Sequence, residues 1–212
     1  MKKFIFLLLL SYSLPSFAER WFDVEVILFK YNTSVLDTGE YWPNHAGKVD
    51  MSKVINVSDA KSLARYNMEP LPKADFELTS YYDRLAKSTR YKNLMHIGWR
   101  QNDDPRDKMP KISLNSGKKV SGNKSELEGY LRLYVDHYLF VETDILLNQS
   151  VSEAVEIPYD PRTNNTAQQT EYKSFLKGFS FKQKRRMHSN EIHYLDNPLL
   201  GMIIQVRRPE QS

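Results

Sequence analysis

The chain has 212 residues, 30 Lys+Arg against 26 Asp+Glu for a formal charge of +4, and no cysteine. That length suits one medium domain or two small ones, and a fold without disulfides must be held by its core alone. After the first ten residues no apolar run is long enough to span a bilayer, so no membrane span is expected.

Lys2 and Lys3 precede the apolar run Phe4 to Leu10, and Ser16-Phe17-Ala18 places small residues at the −3 and −1 positions of a signal-peptidase site. This is the pattern of a secretory signal, too short to be a membrane span. It predicts cleavage after Ala18, leaving one domain over residues 19–212. Losing Lys2 and Lys3 lowers the balance to 28 − 26 = +2, so the sequence pI of 9.0 is no argument for nucleic acid. No cysteine follows the signal to carry a bacterial lipid anchor, and the expected location is the bacterial envelope.

Trp21 to Lys30 alternates strictly, with Phe22, Val24, Val26 and Leu28 on one face and Trp21, Asp23, Glu25, Ile27 and Phe29 on the other. Period-two alternation of β-branched and aromatic residues predicts a strand with the first face on the core. Ile27 and Phe29 make the second face partly apolar, so an inner strand is expected. Residues 31–74 lose periodicity, and Tyr41-Trp42-Pro43 and Glu69-Pro70-Leu71-Pro72 force extended or turn backbone. Surface excursions of this length are uncommon in compact domains and often bind something. A helix is predicted from about Leu78, capped by Thr79 or Ser80, with Tyr82, Leu85 and Ala86 facing inward.

Tyr91 to Arg100 reads as the next strand, with Leu94, His96 and Gly98 on one side and Met95, Ile97 and Trp99 on the other. Gln101 to Lys124 is polar and punctuated by Asp-Asp-Pro and Ser-Gly, hence a loop. Leu127 to Leu147 is the clearest hairpin. Leu131, Leu133 and Val135 alternate on its first limb, Leu139, Val141, Ile145 and Leu147 on its second, and Asp136-His137 sits at the turn. Glu128, Tyr130, Arg132 and Tyr134 oppose Tyr138, Phe140, Glu142 and Asp144 on the outer face. Residues 148–174 read as a second polar stretch. Phe179 to Arg208 then gives a strand, a tight turn, a short strand, an Asp-Asn-Pro corner and a final strand. The fold class that results is α+β: a mainly antiparallel sheet of about six strands, one clear helix on one face, and long surface loops.

Chemistry comes out weakly. Asp23 and Glu25 lie two apart on one strand face, about 7 Å by strand rise, a spacing that invites comparison with glycosidase carboxylates. A catalytic acid needs an enclosed, pKa-raising pocket, and the plainer reading is cross-strand pairing with Lys182, Lys184 or Arg186. His188 and His193 bracket a turn but lack a third metal ligand, and His45, His96 and His137 are scattered. No nucleophile motif and no Gly-rich phosphate loop appears, so neither catalysis nor a cofactor is expected. More informative is the basic strand: with Phe181 inward, Gln183, Arg185 and Met187 share the core side, while Lys182, Lys184, Arg186 and His188 face out. Arg185 would then need a carboxylate or carbonyls against it. Tyr41, Trp42, Trp99, Tyr130, Tyr134, Tyr138 and Tyr194 read as exposed aromatics. Rings beside cations suit carbohydrate stacking with carboxylate pairing; alternatively, residues 31–74 pack over those rings.

The run Arg185-Arg186-Met187-His188-Ser189 with Glu191, His193-Tyr194-Leu195-Asp196, Pro198-Leu199 and Gly201 resembles the C-terminal signature of the CsiV family. Arg20 to Ile27, His96-Ile97 with Trp99-Arg100-Gln101, and Gly129 to Leu133 resemble other parts of that family, in order along the chain. The resemblance implies a non-enzymatic periplasmic peptidoglycan-binding protein. It also implies support for a class A penicillin-binding protein and that synthase's outer-membrane lipoprotein activator. The residues expected to touch ligand are Lys184, Arg186, His188, Tyr194, Trp99 and Arg100. A protein-only adaptor presenting residues 31–74, and a wall hydrolase using Asp23 or Glu25, are the alternatives.

Overall fold

A computed structural model describes residues 20–40, 42, 47–116, 118–121, 124–156 and 170–209. The expected signal peptide, Tyr41 and His45 lie outside the described residues.

Twelve strands are present among the described residues: β1 (Trp21–Tyr31), β2 (Val54–Ile55), β3 (Glu69–Pro70), β4 (Tyr91–Asn102), β5 (Lys111–Ser113), β6 (Lys119–Ser121), β7 (Lys124–Ser125), β8 (Leu127–Val135), β9 (Leu139–Glu156), β10 (Thr170–Met187), β11 (Ile192–Asp196) and β12 (Leu200–Arg207). They do not form the single sheet of about six strands expected from the sequence. Sheet A has the order β11-β12-β1-β4-β3, sheet B the order β10-β9-β8-β5-β2, and β6 and β7 pair as a ribbon. All neighbours are antiparallel except β2 and β5. The fold is thus mainly β.

β1 is the inner strand its two-sided apolar pattern implied, between β12 and β4. Val24, Val26 and Leu28 join Met202, Ile204 and Val206 of β12 in one core with Leu131, Leu133, Val141, Ile145, Phe179 and Phe181 of sheet B. The inner faces of the two sheets therefore meet, each fully buried side chain contributing about 1.5–3 kcal/mol. The periodicity-free excursion helps to close this core. Leu63, on the short helix α1 (Ala60–Ala64), and Met68 are buried in it, and Val35, Trp42, Ile55 and Val57 pack against it. The polar stretch at 101–124 likewise carries β5 and β6, with Ile112 and Leu114 buried. Glu126, 3% exposed, accepts from Lys30 Nζ of β1 at 2.6 Å and tethers one sheet to the other.

The second helix, α2 (Thr79–Lys87), lies against the outer face of sheet A. Leu78, Tyr81, Tyr82 and Leu85, spaced for one helical face, cluster with Ile27 and Phe29. Ala86, expected inward, is exposed, and Leu78 rather than Thr79 or Ser80 occupies the N-cap, with no side-chain cap bond. Just upstream, Phe76 lies where a Cβ on Gly98 would come within 2.8 Å of its ring, so only glycine admits the ring there.

Within 148–174, expected as a polar stretch, residues 148–156 extend β9 and residues 170–174 belong to β10. Beyond Leu147, the last residue of β9 paired with β8, nine further pairs run from Asn148–Gly178 to Glu156–Thr170. The closing elements also divide: β10 is the outermost strand of sheet B, while β11 and β12 belong to sheet A.

Candidate functional site

The outer face of sheet B carries the basic strand. Alternation along β10 sends Lys182, Lys184 and Arg186 outward, about 7 Å apart by strand rise, and all three are exposed. Their neighbours on β9 are Asp144, Glu142 and Phe140 respectively. Lys182 pairs with Asp144 at 3.2 Å. Glu142 is held elsewhere: Arg106, reaching in from the loop after β4, donates to both its oxygens at 2.8 and 2.9 Å, and Tyr130 Oη donates at 3.3 Å. The Arg106 guanidinium keeps Glu142 below the usual carboxylate range, against the opposing effect of burial.

Lys184 and Arg186 are left with rings. Lys184 Nζ lies 5.3 Å from the Phe140 centroid and 5.8 Å from that of Tyr134, and Arg186 Cζ lies 3.4 Å from that of Tyr138. Neither cation has a carboxylate partner among the described residues. Beside Lys184 opens a recess of about 260 Å³, with Arg106, Tyr130, Glu142 and Lys182 in its wall. His188, just past β10, is exposed, and its backbone N and O lie 3.2 and 3.1 Å from His193 Nε2. Among the described residues no group of three or more His, Cys, Asp or Glu could hold a metal.

The outer face of sheet A is arranged differently. Asp23, 4% exposed, accepts from Arg100 Nε at 2.6 Å and from its second nitrogen at 3.0 Å. Glu25, fully buried, accepts from the Glu77 and Leu78 amides at 2.8 and 3.0 Å, and from Arg207 at 3.4 Å. His96 Nε2 lies 2.7 Å from Glu25 Oε1, and because an ionised carboxylate only accepts, the imidazole donates. Burial raises the Glu25 carboxyl, but the bonds from His96 and the two amides more than offset it, and the group sits below its ordinary value. A glycosidase acid needs the opposite shift. These pairs come from β4, β12 and the approach to α2, and not from Lys182, Lys184 or Arg186, because β10 lies in the other sheet.

The six residues expected at the ligand therefore do not converge. Lys184 and Arg186 share the open face of sheet B, with His188 next along the chain. Arg100 serves Asp23 on sheet A. Tyr194, 46% exposed, stacks on Phe29 at 6.4 Å, with its hydroxyl against that of Tyr31. Trp99 is fully buried, its indole N–H donating to Gln101 at 2.7 Å. Tyr130 and Tyr134 are also buried, whereas Tyr138 is 48% exposed, and Trp42 is half-buried against Phe179. Arg185, expected on the core side against a carboxylate or carbonyls, is exposed on the edge strand but reaches across to sheet A, donating to the Tyr194 carbonyl at 2.8 Å. Sequence reasoning missed Arg106, which lies in a segment with no periodicity. The outward position of Glu142 was visible in the hairpin's alternation, but not that its partner would come from that loop.

The family described as "Peptidoglycan-binding protein, CsiV" matches residues 2–209. No curated protein and no solved structure matches the chain.

Proposed function

Since the chain belongs to the CsiV family of peptidoglycan-binding proteins, we propose that it binds the bacterial cell wall without performing chemistry on it, through the outer face of sheet B. The observation that carries this reading is the pair Lys184 and Arg186, two exposed cations resting on Phe140, Tyr134 and Tyr138 with no carboxylate partner among the described residues. Peptidoglycan offers sugar rings to exposed Tyr138 and half-buried Phe140, and carboxylates to the cations. His188 extends the same row. Arg100, committed to Asp23, and Tyr194, on sheet A, are not part of this contact, nor is the buried Trp99.

The absence of chemistry is supported by the state of Asp23 and Glu25, whose acceptor positions are filled by Arg100, His96, Arg207 and two amides. The adaptor alternative would present the segment 31–74, of which Leu63 and Met68 lie in the core. The wider role, in the periplasm after loss of residues 1–18 and in support of a class A penicillin-binding protein and its outer-membrane lipoprotein activator, follows the family resemblance. No helix among the described residues is long and apolar enough to cross a membrane. Cosedimentation with purified sacculi tests the binding face. The wild type is retained and the folded Lys184→Ala/Arg186→Ala double variant is not; equal retention of both would remove this face from consideration.

A further inference from the structure

We infer that the recess beside Lys184 recognises a free carboxylate of the peptide stems of peptidoglycan rather than its neutral sugars, with Arg106 acting as the residue that keeps Lys184 available. The inference rests on the binding face proposed above.

The charges of the recess do not balance. Two carboxylates, Glu142 in its wall and Asp144 just outside it, meet Arg106 and Lys182 at 2.8 and 3.2 Å. Arg132 stands across from Glu142 on β8 and adds its charge to the same side of the balance, so Lys184 is in surplus. In the ladder it stands directly opposite Glu142, the carboxylate that an antiparallel neighbour would ordinarily pair with. Arg106 occupies both Glu142 oxygens instead, a two-point grip that a single ammonium does not match. Lys184 Nζ is thus left with ring faces 5.3 and 5.8 Å away and three N–H donors facing water. A volume of about 260 Å³ lies below the range for sites that enclose a whole ligand, roughly 300–1,000 Å³. It suits one projecting group with its first carbons. A carboxylate there gains charge-assisted hydrogen bonds from Lys184 beside Tyr130 in the wall. A neutral sugar would leave the surplus charge unanswered.

Three soluble probes separate the possibilities: a synthetic stem tetrapeptide with free carboxylates, the same peptide with every carboxylate amidated, and a neutral N-acetylglucosamine tetramer, each titrated calorimetrically against the full chain. The acidic peptide binds, and amidation weakens it by roughly tenfold or more, the worth of one charged hydrogen bond. Lys184→Gln produces a similar loss. Arg106→Gln also weakens the acidic peptide, because Glu142 is released to pair with Lys184, and the double variant Arg106→Gln/Glu142→Gln recovers the affinity. That rescue is not expected if Arg106 merely supports the fold. Equal binding of the amidated peptide, or a neutral tetramer that binds as well as the acidic peptide, overturns the inference. So does wild-type affinity in Arg106→Gln. Sacculi retained by a protein that ignores the acidic peptide would sink the carboxylate reading while leaving wall binding intact; loss of both would sink the two together.

Discussion

The two outer faces of this sandwich carry charge under opposite conditions. On sheet A, Asp23 and Glu25 are buried with both oxygens of each carboxylate answered, by Arg100 for Asp23 and by His96, Arg207 and two amides for Glu25. On sheet B, Lys184 and Arg186 stand in water on aromatic supports. Charge that has been desolvated must be matched internally and then belongs to the architecture, whereas charge left hydrated costs little to keep and stays free for a ligand. A pair of acidic residues on a strand and a pair of basic ones on another thus look alike in sequence and differ in what covers them.

Glu25→Ala should give the largest effect, about 3–5 kcal/mol of stability, because His96, Arg207 and two amides lose a common buried acceptor. Urea denaturation followed by tryptophan fluorescence measures it. A loss below 1 kcal/mol would mean that the cluster is hydrated and the contrast between the faces false. Acid should mimic part of that loss. The Glu25 pKa is depressed below 4.5, so its contribution is fully present above about pH 4.5 and is lost as the pH falls through the lower folded value. The urea midpoint of the wild type should fall across that window more steeply than that of Glu25→Gln, and parallel profiles would count against the assignment. Arg100→Ala should cost about 1–3 kcal/mol, the penalty of leaving buried Asp23 without its guanidinium. Lys184→Ala/Arg186→Ala should change stability by no more than about 0.5 kcal/mol. Retention of the wild type on sacculi, in contrast, should weaken as salt rises from about 0.1 to 1 M and the screening length shrinks from about 10 to 3 Å. A double variant that unfolds early would show that the basic row is structural after all.

What was legible in the sequence follows the same division between local and distant causes. The inner position of β1 could be read because Ile27 and Phe29 mark its second face as covered, and the β8–β9 hairpin because Leu131, Val141 and their neighbours alternate. Trp99 shows how a correct pattern can be misapplied: its face also bears Met95 and Ile97, and that apolar company was the signal for burial. The division into two sheets depends on which strand returns to which edge, and alternation within β10 or β12 carries no record of it. Nor could the helix capping be read locally. Glu25 holds the Glu77 and Leu78 amides across more than fifty positions, whereas Thr79 and Ser80 offered the nearby oxygens that local rules favour. The outer lengths of β9 and β10 were hidden because Ser, Lys and Asn residues in a two-stranded arm bury too little to need an apolar pattern.

That arm has a consequence for how the chain meets deuterated solvent. Nine pairs at roughly 3.3 Å each extend about 30 Å, and over that span β10 is the strand that pairs with β9 among the described residues. Every second amide of Gln149 to Glu156 points toward the side that β8 has vacated and trades its proton at once, while those between are shielded for as long as the arm stays zipped to β10. Along this single strand, exchange should pass from uniform protection up to Leu147 to a two-residue stutter beyond Asn148.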